Sequence, residues 1–143
     1  MIILDTHIVS ELMKQSPSTY VTTWLNEQKS SELFITSITI GEISYGLNAL
    51  PKGNRRTLLE NAFIDAINGA FKHRILSFDE KAAYKYGDLM AHKKSQGRAL
   101  SICDGEIAAI TQVYNYKIAT RNIKDFLDCN IELINPFLDY ATK

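Results

Sequence analysis

The chain has 143 residues, 45% of them hydrophobic and 22% charged, the proportions of an ordinary folded domain rather than of a disordered or fibrous chain. Sixteen Lys and Arg balance sixteen Asp and Glu. No global positive charge therefore marks a nucleic-acid binder, and an anionic partner must be held by a local basic patch or by metal ions. Three Pro and seven Gly exclude collagen-like and low-complexity readings.

Cys103 and Cys129 lie far apart and make no CxxC pair, and His7, His73 and His92 do not cluster. This excludes zinc sites of the usual spacing and a disulfide framework, and it predicts a reducing, cytoplasmic setting. The opening MIILDTHIVSEL lacks a basic leader, and no apolar run reaches the length of a membrane span. The expectation is a soluble protein without membrane contact, folded as one domain over 1–143.

Ile2-Ile3-Leu4 is a short, apolar, β-branched run that ends at Asp5, as a buried strand does. A short helix follows, capped by Thr6 or Ser10 and broken by Pro17. Tyr20, Trp24 and Leu25 recur at helical spacing over about 18–28. Leu33-Phe34-Ile35-Thr36 is a second strand, with Ser37 the expected cap of a helix over 38–50 that Pro51, Gly53 and Asn54 terminate. A helix over 55–68 carries the stripe Leu58, Leu59, Ala62, Phe63, Ala66 and Ile67. Arg74 to Phe78 gives a third strand.

From Glu80 a long helix presents Ala82, Ala83, Tyr86, Leu89 and Met90, and ends at Lys93, Lys94 and Gly97. The next helix, Cys103 to Tyr114, has Ile107, Ile110, Thr111 and Tyr114 in register. Lys117–Thr120 and Ile131–Ile134 are the fourth and fifth strands, the last closed by Asn135-Pro136. Short apolar strands alternating with longer helices predict an α/β domain with a central, mostly parallel, five-stranded sheet flanked by helices.

Three acids fall where the pattern says interior. Asp5 closes an apolar strand, at the carboxyl end where open parallel sheets bind ligands. Glu42 shares its helix face with Ile38, Tyr45, Gly46 and Ala49. Asp104 shares its face with Ile107, Ala108 and Thr111, while Glu106 projects away. Each alone has an ordinary reading as a surface acid, a helix cap or a helix N-terminal charge. Together they predict a buried anionic cluster, which loses hydration and repels itself unless compensated. Oxygen-only ligands suit Mg²⁺ or Mn²⁺, and such a site suits phosphoryl chemistry.

The segments Ile3-Leu4-Asp5-Thr6-His7, Thr39-Ile40-Gly41-Glu42-Ile43 with Gly46, Asp104-Gly105-Glu106-Ile107-Ala108-Ala109, Ala119-Thr120-Arg121-Asn122 and Ile134-Asn135-Pro136 resemble, in this order, the PIN-domain family. The likeness is strongest to the VapC and FitB-like toxins of type II toxin–antitoxin systems, and it covers nearly the whole chain. It implies a PIN-like fold and a metal-dependent endoribonuclease that cuts RNA, tRNA included. Asp5, Glu42 and Asp104 then match the catalytic, metal-holding acids, and Asn122 the fourth catalytic position, often Asp. Thr6 and Thr120 match supporting positions, and Asp125 could supply further charge. His7 stands where the family usually has Asn.

The resemblance further implies an antitoxin partner of the VapB kind, clasped by the helices at about 18–28 and 38–68, and a homodimer within a hetero-oligomeric complex. Candidate phosphate contacts are Lys14, Lys52, Arg55, Arg56, Lys93, Lys94, Arg98, Arg121 and Lys124, with Arg121, Lys124 and Arg98 the RNA-binding candidates of choice. Tyr20, Trp24, Tyr45, Phe63 and Tyr86 are expected in core or subunit contacts. Two alternatives stay open: a non-catalytic PIN-like binding module, and another Mg²⁺-dependent phosphoryl-transfer enzyme. Against the latter, the first strand leads into Asp5-Thr6-His7 rather than Asp-x-Asp, and phosphate-binding glycine motifs are missing.

Overall fold

A computed structural model describes residues 1–138; the expected domain end at 139–143 lies outside the described residues. Strands β1 (Ile2–Leu4), β2 (Leu33–Thr36), β3 (Ile75–Leu76), β4 (Lys117–Ala119) and β5 (Leu133–Ile134) form one sheet in the order β3-β2-β1-β4-β5. Every pairing is parallel. Ile2 faces Leu33 across one ladder, and Leu4 faces Ala119 across the other.

The period of two along each strand divides the interior into two cores. Ile2, Leu4, Leu33, Ile35 and Ala119 face one helical layer: α1 (Thr6–Leu12), α2 (Thr19–Asn26), α3 (Ser37–Asn48) and α4 (Asn54–Asn68). Ile3, Leu76 and Ile118 face the other: α5 (Glu80–Ser95), α6 (Ile102–Tyr114) and α7 (Ile123–Phe126). Both faces of a parallel sheet are covered in this way, which is why its strands read as unbroken apolar runs.

Several expectations shift by a residue. At α1 the cap is Asp5, in the ordinary helix-cap reading of that acid, rather than Thr6 or Ser10: its Oδ1 accepts from the Thr6 backbone N–H at 2.7 Å. Thr36, not Ser37, caps α3, accepting from the Thr39 N–H. In α4 only part of the expected stripe turns inward: Phe63 is buried, Leu59, Ala66 and Ile67 are half-buried, and Leu58 and Ala62 are exposed. Trp24 is buried, whereas Tyr20 and Tyr45 stand at the surface. The four-residue α7 is too short to leave a periodic signal.

Lys93 departs most from expectation. As a lysine near a helix C-terminus it was a candidate phosphate contact, yet it is 2% exposed and its Nζ donates to the Leu127 carbonyl at 3.0 Å. It anchors the segment after α7 to α5 and cannot reach RNA.

Ile3 lies in the middle strand, fully buried between α5, α6 and the sheet. Ile3→Ala should cost about 2–5 kcal/mol of stability through lost transfer energy and an unfilled cavity, read as a lower urea midpoint without a change in slope.

Candidate active site

The chain reverses direction of growth across the sheet between β1 and β4, the switch point at which open parallel sheets place ligands. Asp5 and Thr120 sit on either side of that point. Asp5 is 1% exposed, a carboxylate buried almost entirely in the interior. Such a group is tolerable only if its oxygens are satisfied. Oδ1 accepts from the Thr6 N–H, and Oδ2 accepts from the buried Thr120 hydroxyl at 2.8 Å. Thr120 Oγ1 in turn accepts from the Asn122 backbone N–H at 3.0 Å.

Thr6 carries the network across to α3. Its hydroxyl donates to Glu42 Oε1 at 2.7 Å and lies 2.9 Å from the hydroxyl of Thr39. A hydroxyl has one proton, so Thr39 is the donor in the second contact. Thr39 is itself fully buried one turn into a helix whose Thr36 cap is also fully buried. The rotamer of Glu42 is therefore set by a chain of threonines rooted in β1 and β2.

Asp104 arrives from the other layer, in the first turn of α6, where the Ser101 hydroxyl accepts from its backbone N–H. Half-buried, it has its pKa pushed up, first by lost hydration and then by the charges of Asp5, Asp125 and Glu42, against the opposing effect of Ser101. Those acids are near enough to make its ionisation costly. Asp5 and Glu42 are thus joined by hydrogen bonds through Thr6, and Asp104 and Asp125 join them through the field.

His7 is the local counterweight. Its Nδ1 stands 3.6 Å from Asp5 Oδ2, with the ring more than half exposed. The Asp5 carboxylate, and more weakly Asp104 and Glu42, raise its pKa against the desolvation that lowers it. Asn122 is half-buried just before α7, and Asp125 is exposed within α7.

Glu106 has a neighbour that the sequence did not foretell. It does diverge from Asp104 on α6, but α3 packs alongside, so Glu106 and Glu42 line one cavity with Ser37, Ile38, Tyr45 and Cys103. Burial, followed by the charges of Glu42, Glu106 and Asp104, holds the Cys103 thiol protonated above its usual range, which makes it a poor nucleophile. The i, i+3 spacing of Cys103 and Glu106 was the available signal.

Among the described residues, no three His, Cys, Asp or Glu side chains are gathered into a ready-made metal shell. The fit to a cation is one of charge and donor chemistry: oxygen ligands, an unbalanced acidic field, and no lysine or arginine paired into it among the described residues.

The candidate RNA contacts divide. Arg121 lies over the Phe137 ring, 4.5 Å from its centroid. Arg98 Nη1 pairs with Asp128 at 2.5 Å in the open. Lys124 is exposed in α7. Arg56 is engaged by Glu60, Asn48 and the Leu50 carbonyl.

A PIN-domain family model matches residues 2–128. The chain belongs to the PIN-domain family. Over 137 residues this PIN domain is 37% identical to "VapC ribonuclease Y4jK" of Sinorhizobium fredii, covering 96% of this chain and 98% of that protein. It is 30% identical to "Toxin FitB" of Neisseria gonorrhoeae over 139 residues, 97% of this chain and all of that one. The solved structure of FitAB bound to an IR36 DNA fragment superposes with a TM-score of 0.90 at 30% identity, covering 98% of this chain and 99% of that chain. No helix among the described residues is long and apolar enough to cross a membrane.

A carboxyl whose folded pKa is raised costs stability once it ionises, and costs nothing below its unfolded pKa, where both states are protonated. Asp104→Asn should therefore raise the melting temperature in EDTA at pH 7. The gain should disappear as the pH falls through the ordinary carboxylate range, as followed by circular dichroism.

Proposed function

We propose that this PIN domain is a Mg²⁺- or Mn²⁺-dependent endoribonuclease, the toxin of a type II toxin–antitoxin pair, cutting RNA phosphodiesters by water attack. The observation that carries this reading is the Asp5–Thr6–Glu42 hydrogen-bonded unit at the sheet switch point, with Asp104 half-buried in their field, where lost hydration and then their charge make its ionisation costly. A site that concentrates uncompensated carboxylate charge is built for a cation. Asp5, Asp104 and Glu42 would hold it. When bound, it would supply positive charge for phosphate oxygens and lower the pKa of water.

The remaining work falls to the chain. Thr120 orients Asp5 by donating to Oδ2, and Thr6 fixes Glu42 through Oε1. Glu42 is then positioned to accept the proton that attacking water gives up, acting as general base. Asn122 offers a neutral carbonyl oxygen where many relatives place a carboxylate, and Asp125 adds charge from α7. Lys124, with Arg121 and Arg98 once freed from Phe137 and Asp128, supplies phosphate contacts on the rim. A relative named as a toxin and the solved FitAB complex support a protein partner of the antitoxin kind; the reading adds a PIN domain that is dimeric in that complex and works in the cytoplasm.

One observation favours a second reading, a non-catalytic binding module: the carboxylates do not stand as a preformed shell. Incubation with total RNA in Mn²⁺ or EDTA, followed by mapping of new ends, separates the two. The nuclease reading expects ends made only with metal, and loss of cleavage by at least about 100-fold in Asp5→Asn or Asp104→Asn with the fold retained. Full activity of either variant would defeat the assignment. RNA binding should also weaken steeply from low to moderate salt.

A further inference from the structure

Beside Glu42, on the side away from α6, α1, α3 and α4 enclose a cavity of about 270 Å³. It opens directly on the acidic site, since Thr6 and Glu42 belong to its wall. Its floor is apolar: Met13, Ile43, Leu47 and Leu59. Its rim carries two cations, Lys14 and Arg55. Lys14 Nζ is held at 2.7 Å from Glu11 while its side chain remains largely exposed. Arg55 is exposed at the start of α4 and, unlike its neighbour Arg56, forms no ion pair among the described residues.

Gly46 is the unexplained residue of this wall. It lies inside α3, where glycine weakens a helix relative to alanine. Its backbone needs no left-handed conformation, and a Cβ built on it would meet no atom within 4 Å. Among the described residues nothing requires a glycine there. What its absent side chain preserves is open space, one helical turn from Glu42 and on the same face.

We propose that this slot is a nucleobase subsite. It takes the base of a nucleotide next to the phosphate that a cation at Asp5, Asp104 and Glu42 would hold, while Lys14 and Arg55 hold the adjoining backbone phosphates. The proposal rests on the nuclease reading and deepens it. A strand whose phosphate reaches the acidic site must place a covalently attached neighbour within the next few ångströms. The slot offers that neighbour a flat apolar surface for a base face, which is sequence-tolerant, and cations for its charge. An apolar peptide segment, such as the antitoxin expected against the helices over 38–68, would compete for the same floor but leave the two rim cations unused.

The test uses Gly46→Leu, whose side chain grows into the slot, with Gly46→Ala as the folding control. Both should keep or raise the melting temperature, because open space and helix propensity favour them. A labelled single-stranded RNA decamer of mixed sequence, titrated in Ca²⁺ so that the acidic site is charge-compensated, should bind Gly46→Leu about tenfold or more weakly than the natural chain. Arg55→Ala should lower the slope of log affinity against log salt by about one unit. New ends mapped in Mn²⁺ should show a base preference at one position that Gly46→Leu relaxes. Unchanged RNA affinity and an unchanged pattern of ends in a folded Gly46→Leu would overturn the slot while leaving the nuclease standing. RNA binding lost in Gly46→Leu, from a protein that makes no metal-dependent ends, would support the slot and overturn the nuclease.

Discussion

A single carboxylate in the interior organises this molecule. Asp5 ends the middle strand of the sheet, is almost wholly removed from water, and remains tolerable because Thr6 N–H and the Thr120 hydroxyl satisfy it. Those two donors come from opposite sides of the switch point: one opens α1, the other closes β4. Holding the charge therefore also holds the two halves of the sheet in register, and Thr6 extends the same constraint to Glu42 on α3. Site and scaffold share one hydrogen-bond network, so a buried polar atom here is both structural and chemical.

The field at this point is kept acidic rather than neutralised. His7 offers partial relief to Asp5, and Asp104 carries its burial and its acidic neighbours without a basic partner among the described residues. Elsewhere the chain spends its cations on structure: Lys93 on the Leu127 carbonyl, Arg56 on Glu60, Arg98 on Asp128. Zero net charge thus conceals an uneven distribution. Sites that keep unfavourable charge for function sacrifice stability, a pattern general to enzymes.

The five strands, and the assignment of the acids to the inner faces, were legible because a parallel sheet covered on both sides demands unbroken apolar runs, and an acid closing or lining them stands out. The cap of α3 was off by one, and the cap of α1 stayed open among Asp5, Thr6 and Ser10, since Asp, Ser and Thr at nearby positions offer the same hydrogen bond and only backbone geometry chooses between them. Lys93 was misread, and the cavity that Glu106 shares with Glu42 was not foreseen, for a common reason. Helical periodicity places a side chain relative to its own axis, whereas α3 beside Glu106 and the Leu127 segment over Lys93 are tertiary neighbours that no local pattern encodes. The threonine chain Thr39–Thr6–Glu42 is likewise long-range, joining residues 33 and 36 positions apart.

The account stands or falls on whether the acids act as one cation site. Binding of Mn²⁺ to the purified protein, followed by the spin-resonance signal of the free ion, tests this without reference to any substrate. The natural chain is predicted to take up the ion, with Glu42→Gln and Asp104→Asn, from opposite layers of the fold, each weakening uptake by about tenfold or more. Equal uptake by the natural chain and both variants, or none by any of them, would contradict it.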